Sequence, residues 1–288
     1  MCRMAAFVAK EFKKNDILDM LLDMEGARTG DGVGYALVSE GKFIYKKTTL
    51  SLTEILKKKS KSEWFGDCFN HNSWVIFHSR KASPGGGGIC SVNAHPFMGR
   101  DNAFMHNGLL KNHELIKAAL GKDYKYTSGT DSEVALNLYE RIGARKFTKL
   151  VDDSGVFVAL NRNGELTVIK SNFASDMKFA PTKNGSIFLM SEFPTQSDYK
   201  EKEMEVGIAV FDVAGKLINF KEKEKKVASS HVTTYTYPKK TIEPIDNHSE
   251  TFGHHKSIHE MGDLEWFNEN RGHGQWNPYA HGGGGSDC

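Results

Sequence analysis

Short strand-like runs separated by turn residues are the feature that most constrains the fold of this chain. Many consecutive runs are joined by tight turns, such as Asn-Arg-Asn-Gly at residues 161–164 and Ala-Gly at residues 214–215. Because such turns connect neighbouring antiparallel strands, the pattern predicts antiparallel sheets. The predicted strands cover residues 4–9, 34–39, 42–45, 74–80, 103–106, 156–160, 166–170, 186–190, 206–211 and 216–220.

Apolar residues at helical spacing indicate helices between the two sets of strand-like runs. Asn112 and either Thr130 or Asp131 lie where helix N-caps are expected. This arrangement favours packed sheets with helices outside them, although periodicity alone does not give the number of layers. The predicted helices cover residues 16–24, 52–59, 113–120 and 132–142.

Composition divides the chain into a folded part and a polar extension. We predict a domain over residues 2–225 and an extension over 226–288, largely disordered beyond about residue 241, where Gly and His replace apolar residues. His255 and His259 would share one face of a helix and could hold a metal. No Glu or Cys completes a recognisable site, so disorder or a docking role is favoured over a metal site.

Charge and hydropathy narrow the classes of function. The formal net charge of +2 and the lack of a concentrated basic face argue against nucleic-acid binding. No apolar run approaches the roughly 20 residues that span a bilayer, and no signal-peptide pattern opens the chain, so we expect a cytoplasmic protein without membrane association. The four cysteines form no CxxC pair, which predicts reduced thiols.

Cys2 directly follows Met1, and initiator removal is generally permitted before a small side chain. We therefore expect the mature chain to begin with a cysteine that carries both a thiol and an α-amine. An α-amine has an unperturbed pKa of about 7.7 to 8.0, so near neutral pH it can accept the thiol proton. Taken alone, however, Cys2 is more simply explained as a small buried residue that opens a strand.

Two later motifs add polar groups that fit the same chemistry. Arg80 ends an apolar strand beside a glycine-rich loop, where it could clamp a carboxylate, although a surface charge is the simpler interpretation in isolation. Asn107 and Gly108 could supply two donors to an oxyanion. Asn-Gly is also a common hairpin turn, but the following residues 109–120 have a helical pattern.

Asp131 lies at the start of the predicted helix 132–142, where it or Thr130 could act as a cap. A sharper interpretation gives Asp131 a second task, the binding of a substrate ammonium. The chain then offers a thiol with its own base, a carboxylate clamp, an oxyanion cradle and an ammonium acceptor. An α-amino acid with a side-chain amide presents the complementary groups.

Six short motifs follow one another in the first half of the chain. They are Met1-Cys2-Arg3, Gly32-Val33-Gly34-Tyr35, His78-Ser79-Arg80, Asn93-Ala94-His95-Pro96-Phe97, His106-Asn107-Gly108 and Thr130-Asp131-Ser132-Glu133. Their order and spacing resemble the signature of class II glutamine amidotransferases, a domain shared with glucosamine-6-phosphate synthase and the purine amidophosphoribosyltransferase. The resemblance covers residues 2–220 and is strongest through residue 142.

The resemblance implies an α+β fold, the four-layer αββα sandwich of two antiparallel sheets found in N-terminal nucleophile hydrolases. The domain over residues 2–225 would then be a glutamine amidotransferase type 2 domain. Cys2 would be the nucleophile with its own amine as base, and Asn107 with the Gly108 N–H would form the oxyanion hole. Neither a cofactor nor a metal is implied.

The same resemblance implies the residues that bind the substrate. Arg80 would bind the glutamine carboxylate, Asp131 its ammonium group, and His95 would line the pocket. Many relatives carry a threonine or an aromatic residue just after the clamp arginine, whereas this chain has Lys81.

The implied activity is hydrolysis of L-glutamine to glutamate and ammonia through a Cys2 γ-glutamyl thioester. No acceptor-activating domain is recognisable after the glutaminase region, so we expect a separate ammonia-accepting synthase subunit. Two alternatives stay open: an amidase for another γ-glutamyl amide, and a non-catalytic scaffold with the same fold. Oligomeric state cannot be predicted from the sequence.

Overall fold

The computed structural model describes residues 2–26, 30–58, 61–66, 68–82, 87–122, 124–172, 176–195 and 198–222. The chain divides into two compact units, and all of these residues belong to the first, Met1–Lys223 with Asn277–Cys288. The predicted extension over residues 226–288 lies outside the described residues, so its disorder and the His255–His259 pair stay predictions. None of the described helices is long and apolar enough to cross a membrane.

Strands in the described residues form two antiparallel sheets. In chain order they are β1 (Arg3–Val8), β2 (Val33–Ser39), β3 (Lys42–Thr48), β4 (Trp74–Ser79), β5 (Phe97–Met98), β6 (Asn102–Asn107), β7 (Val156–Asn161), β8 (Leu166–Lys170), β9 (Lys178–Pro181), β10 (Ile187–Met190), β11 (Lys202–Glu203), β12 (Gly207–Phe211) and β13 (Leu217–Glu222). The first sheet has the order β11-β9-β10-β1-β4-β2-β3, and the second has the order β13-β12-β8-β7-β6-β5.

Helices cover the outer face of each sheet. The helices are α1 (Lys14–Glu25), α2 (Leu52–Lys58), α3 (Lys61–Phe65), α4 (His113–Leu120) and α5 (Asp131–Leu150). Phe7 of β1 belongs to an apolar cluster that also contains Ile17 of α1 and Ile55 of α2. On the second sheet, Phe157 of β7 packs edge-on against Phe147 of α5. The sheets therefore lie between two helical layers.

The space between the two sheets holds a second apolar cluster. Met4 and Ile76 of the first sheet share it with Met105 and Val158 of the second. Since side chains alternate along a strand, Met4 faces this space while its neighbour Ala5 faces the helices of the first layer. Burial of one such large apolar side chain stabilises the fold by about 1.5 to 3 kcal/mol.

The strand and helix patterns in the sequence are confirmed, and the differences have physical causes. The strands β5 and β11 and the helix α3 were missed because each is too short to show a period, and the four-residue strand β9 was missed as well. The predicted end of α5 at residue 142 coincides with a break at Gly143, where φ is 72° before the helix resumes. Asn112 and Thr130 occupy the predicted N-cap positions, but neither side chain caps its helix.

The prediction that all the cysteines are reduced is wrong. Cys2 and Cys68 are free thiols, whereas Cys90 is disulfide-bonded. The prediction rested on the absence of closely spaced pairs, and that absence does not exclude a disulfide.

Glu25 at the end of α1 links two helices to the strand that leads into Arg80. Its buried carboxylate accepts hydrogen bonds from the backbone N–H of Leu52 at 2.8 Å and of Thr53 at 3.1 Å, in the first turn of α2. It also accepts one from the Ser79 hydroxyl at 3.1 Å. These contacts fix the end of β4.

Replacing Glu25 with alanine should lower the free energy of unfolding by about 2 to 4 kcal/mol, because donors on two segments, the start of α2 and the end of β4, lose their acceptor. Urea unfolding followed by circular dichroism measures this loss. The matched control is Glu205→Ala, since Glu205 is exposed. A loss below about 0.5 kcal/mol for Glu25→Ala, the range of ordinary surface substitutions, would contradict this account of Glu25.

Candidate active site

The pairing of β1 with β4 brings the start of the chain next to the end of β4. These antiparallel strands align Arg3 with Ser79. Cys2 precedes Arg3 and Arg80 follows Ser79, so both lie just beyond the last aligned pair. Two residues separated by 78 positions in sequence are thus neighbours at one end of the first sheet.

The end of β6 reaches the same place from the second sheet. Met4 and Met105 both face the space between the sheets, and residues two positions along a strand share a face. Cys2 and Asn107 therefore lie at one mouth of this space. The side-chain amide of Asn107 donates a hydrogen bond to the Cys2 carbonyl oxygen at 3.0 Å.

The Cys2 thiol lies against the backbone of Lys81. Its Sγ accepts a hydrogen bond from the Lys81 N–H at 3.3 Å and lies 3.6 Å from the Lys81 carbonyl oxygen, to which it can donate. Burial raises the pKa of the Cys2 thiol, although the Lys81 N–H and the charge of Arg80 oppose that effect. A thiol with a raised pKa is largely protonated at neutral pH, so its use as a nucleophile requires a base.

Gly108 follows Asn107 in a turn that leaves no room for a side chain. A Cβ atom at this position would lie 2.6 Å from the Cα of Gly155 and 2.7 Å from Nε2 of His106. The residues after the turn enter α4, in agreement with the helical pattern that argued against a hairpin. Glycine is required here because two backbone segments meet closely.

Arg80 is buried, with 4% of its surface exposed, so the interpretation of this residue as a surface charge is wrong. Its backbone N–H donates to the Gly32 carbonyl oxygen at 2.7 Å, and its guanidinium donates to the Gly88 carbonyl oxygen at 2.7 Å. Burial lowers the pKa of Arg80, while the neighbouring Cys2 and Asp31 oppose this effect. A buried guanidinium beside a thiol can bind an anionic group of a substrate.

Asp131 opens α5 and directs its carboxylate toward the Asn107–Gly108 turn. One carboxylate oxygen accepts the backbone N–H of Leu110 at 2.7 Å. The side chain is 18% exposed, and its negative charge contributes to the raised pKa of the Cys2 thiol, so the two groups are close. Asp131 thus lies within electrostatic range of Cys2 and remains accessible to solvent.

His95 packs inside the protein among aromatic rings. Its imidazole stacks on that of His78 with the ring centroids 4.0 Å apart and meets Phe97 edge-on. Neither ring nitrogen has a hydrogen-bond partner among the described residues. Burial and the nearby positive charges lower the pKa of His95 well below its ordinary value, so the ring is neutral. Its predicted place in the substrate pocket stays a prediction.

Two residues that received no role in the sequence analysis hold the loop after β4. The Asn93 side chain donates to the Gly87 carbonyl oxygen and accepts the Gly129 N–H at 3.0 Å, which ties this loop to the segment before α5. Asp31 accepts the Ala82 N–H at 2.8 Å. Asn93 lies within one of the quoted motifs and Asp31 directly precedes another, but Gly129 and Ala82 are distant from them in sequence, so these contacts left no local signal.

Comparison with known proteins gives sequence relatives that are glutamine–fructose-6-phosphate aminotransferases. No protein-family model matches the sequence. The chain is 29% identical to glutamine–fructose-6-phosphate aminotransferase of Campylobacter jejuni over 143 residues, 49% of this chain and 22% of the relative. It is 24% identical to the enzyme of the same name from Pectobacterium atrosepticum over 253 residues, 79% of this chain and 40% of the relative. The chain thus spans less than half the length of these relatives.

The fold is shared with a solved amidotransferase. The glutamine phosphoribosylpyrophosphate amidotransferase of Bacillus subtilis superposes on this chain with a TM-score of 0.57 at 18% identity, covering 76% of this chain and 50% of that one. The likeness confirms the α+β fold of two antiparallel sheets with helices outside, as the motif resemblance implied.

Proposed function

We propose, on the premise that the chain is a homologue of glutamine–fructose-6-phosphate aminotransferases with the fold of an N-terminal nucleophile amidotransferase, that it hydrolyses the side-chain amide of L-glutamine. The observation that carries the proposal is the convergence of Cys2, Arg80, Asn107 and Asp131 at one end of the sandwich. These groups complement the reacting amide carbon, the carboxylate, the oxyanion and the ammonium of one amino acid.

In the first step the Cys2 thiol loses its proton to the α-amine of the same residue, after removal of Met1. The thiolate attacks the amide carbon of glutamine, a C–S bond forms, and the carbonyl π electrons move to oxygen. The raised pKa of the buried thiol explains why a base is needed. An amine on the same residue meets this need without a histidine.

The oxyanion then forms beside the Asn107–Gly108 turn. The Asn107 amide, which donates to the Cys2 carbonyl oxygen, and the Gly108 N–H would be its two donors. The protonated amine returns its proton to the amide nitrogen, the C–N bond breaks, and ammonia leaves. Water attacks the γ-glutamyl thioester with the amine as base, releasing glutamate and restoring the thiol.

Arg80 and Asp131 would hold the two charged groups of the substrate. The buried Arg80 guanidinium would bind the α-carboxylate, for which an arginine offers two parallel donors. Asp131, at 18% exposure, would bind the α-ammonium. Two opposite charges at fixed positions select an α-amino acid over a simple amide.

The ammonia would pass to a synthase partner. The relatives are aminotransferases in which the segment matching this chain is a minority of the length, 22% and 40% in the two compared above. We therefore propose that residues 2–225 act as a glutaminase domain in the cytoplasm that supplies ammonia to a synthase domain or protein. The mechanism requires neither metal nor organic cofactor.

The proposed activity is tested by incubating the purified protein with L-glutamine and, separately, with γ-glutamyl conjugates. We expect glutamate and ammonia in equal amounts from glutamine. Turnover of a conjugate without turnover of glutamine would replace this proposal with the γ-glutamyl amidase alternative. Failure to hydrolyse any of these substrates would favour the non-catalytic scaffold.

Asp131→Asn should raise KM for glutamine about 10- to 100-fold with a smaller change in kcat. Asparagine can still accept the Leu110 N–H, but it loses the charge that would bind the substrate ammonium. Steady-state kinetics measures the effect, with Asp152→Asn as the matched control because the Asp152 side chain is 66% exposed. An unchanged KM in Asp131→Asn would exclude Asp131 as the ammonium acceptor.

A further inference from the structure

His106 precedes the Asn107–Gly108 turn and has no role in the steps above. It is buried, with 2% of its surface exposed, and its ring stacks on Phe157 with the centroids 4.4 Å apart. The ring lies directly behind the turn, since a Cβ atom on Gly108 would come within 2.7 Å of His106 Nε2. The position of this ring therefore limits the position of the turn.

Asp153 holds one side of this ring. Its fully buried carboxylate accepts the His106 Nε2–H at 2.8 Å through Oδ2. Its other oxygen accepts the Gly155 N–H and lies 3.3 Å from the Ser171 hydroxyl. Because both oxygens are used as acceptors, Asp153 fixes His106 and Gly155 together.

Ser132 connects the opposite side of the ring to Asp131. The Ser132 hydroxyl lies 3.2 Å from His106 Nδ1 and donates to Asp131 Oδ1 at 3.3 Å. The other oxygen of Asp131 accepts the Leu110 N–H at 2.7 Å. A continuous set of polar contacts at hydrogen-bonding distance therefore runs from Asp153 through His106 and Ser132 to Asp131, and the single Ser132 proton is shared between Nδ1 and Asp131.

These contacts hold the Asn107–Gly108 turn on both its N-terminal and its C-terminal side. His106 leads into Asn107, and Leu110 follows two positions after Gly108. The segment that carries Asp153 also lies beside the end of the turn, through a bridge between Leu110 and Asp153. A small change in the position of the turn would misplace the oxyanion donors, and such displacements cost about 10²-fold in rate.

We infer that His106, held between Asp153 and Ser132, is a positioning residue that fixes the oxyanion turn and joins it to the ammonium-binding Asp131. This inference rests on the proposed glutaminase function. It makes Asp153 and Ser132 part of the support of the site, although neither contacts the substrate. Binding of the ammonium at Asp131 and alignment of the turn then depend on one buried hydrogen-bonded set.

The main variant is Asp153→Asn, which keeps the shape of the side chain. An amide can accept through only one atom, so its NH₂ group must face either the His106 Nε2–H or the Gly155 N–H. We expect kcat for glutamine to fall about 10- to 100-fold with KM within about threefold of wild type. Asp152→Asn, at the neighbouring exposed position, should leave kcat unchanged.

A double-mutant cycle with Asn107→Ala separates positioning from a general loss of stability. If Asp153 acts through the turn, Asp153→Asn should lower kcat by a smaller factor in the Asn107→Ala background than in wild type, because only the Gly108 N–H is then left to be misplaced. His106→Gln, whose amide N–H can still donate to Asp153, should retain more activity than His106→Leu. If Asp153→Asn does not fold, as judged by circular dichroism, Ser132→Ala takes its place in the cycle with an expected kcat loss of about 3- to 10-fold.

Labelling by a glutamine-analogue electrophile distinguishes the two possible failures. A wild-type protein that neither hydrolyses glutamine nor is labelled at Cys2 would overturn the proposed function and this inference with it. An active wild type with additive effects in the cycle, or with a kcat of Asp153→Asn equal to that of wild type, would overturn this inference alone. Non-additive effects together with partial rescue by His106→Gln support it.

Discussion

Cys2→Ala is expected to abolish glutamine hydrolysis, with kcat falling on the order of 10⁵- to 10⁶-fold, as when the nucleophile of a hydrolase is removed. The substitution removes the atom that forms the thioester while the α-amine remains. Without the thiol, the α-amine can act only as a base for direct attack of water on the glutamine amide, which is a much slower reaction. The fold should be unaffected, since Cys2 is only partly buried and precedes the first residue of β1.

The matched control for this variant is Cys68→Ala. Cys68 is a free thiol like Cys2, but it is buried in the apolar cluster between the first sheet and its helices. Cys68→Ala should keep its activity even if its stability falls. Wild-type activity in Cys2→Ala, or equal losses in both variants, would contradict the assignment of Cys2 as the nucleophile.

Asn107→Ala is expected to lower kcat about 10²- to 10³-fold while KM for glutamine changes little, because an oxyanion donor acts in the transition state and not in the bound substrate. In the structure the Asn107 amide donates to the Cys2 carbonyl oxygen at 3.0 Å, which keeps it beside Cys2. Loss of this amide leaves only the Gly108 N–H to stabilise the charge.

Asn163→Ala serves as the comparison, since Asn163 is exposed in the turn between β7 and β8. It should match wild type in both kinetic constants. An increase in KM without a change in kcat for Asn107→Ala would instead indicate that Asn107 binds the ground state of the substrate. That result would remove Asn107 from the oxyanion hole.

The strands could be predicted because their signals lie in neighbouring residues of the sequence. Alternating apolar residues and tight turns indicate antiparallel strands wherever a run is longer than about four residues. The register that places Cys2 beside Arg80 was not available in this way, since β1 and β4 are joined by a long segment. It is the alignment of Arg3 with Ser79 in the folded sheet that brings them together.

The candidate site was predicted in part. Cys2, Arg80, Asn107 and Asp131 were predicted because a set of motifs in one order implied them, and they lie together at one end of the two sheets. The support behind them was missed, since Asp153 contacts His106 from 47 positions away and follows no motif. A buried carboxylate that fixes a histidine can be recognised only when the partners are seen together.

Intact-mass analysis of the purified protein, before and after reaction with a glutamine-analogue electrophile, tests the role of Cys2 most directly. We predict a chain that lacks Met1 and gains one adduct, which peptide mapping places on Cys2. The Asp131→Asn variant should acquire the same adduct more slowly. Retention of Met1, or an adduct on Cys68 in place of Cys2, would contradict an N-terminal cysteine nucleophile.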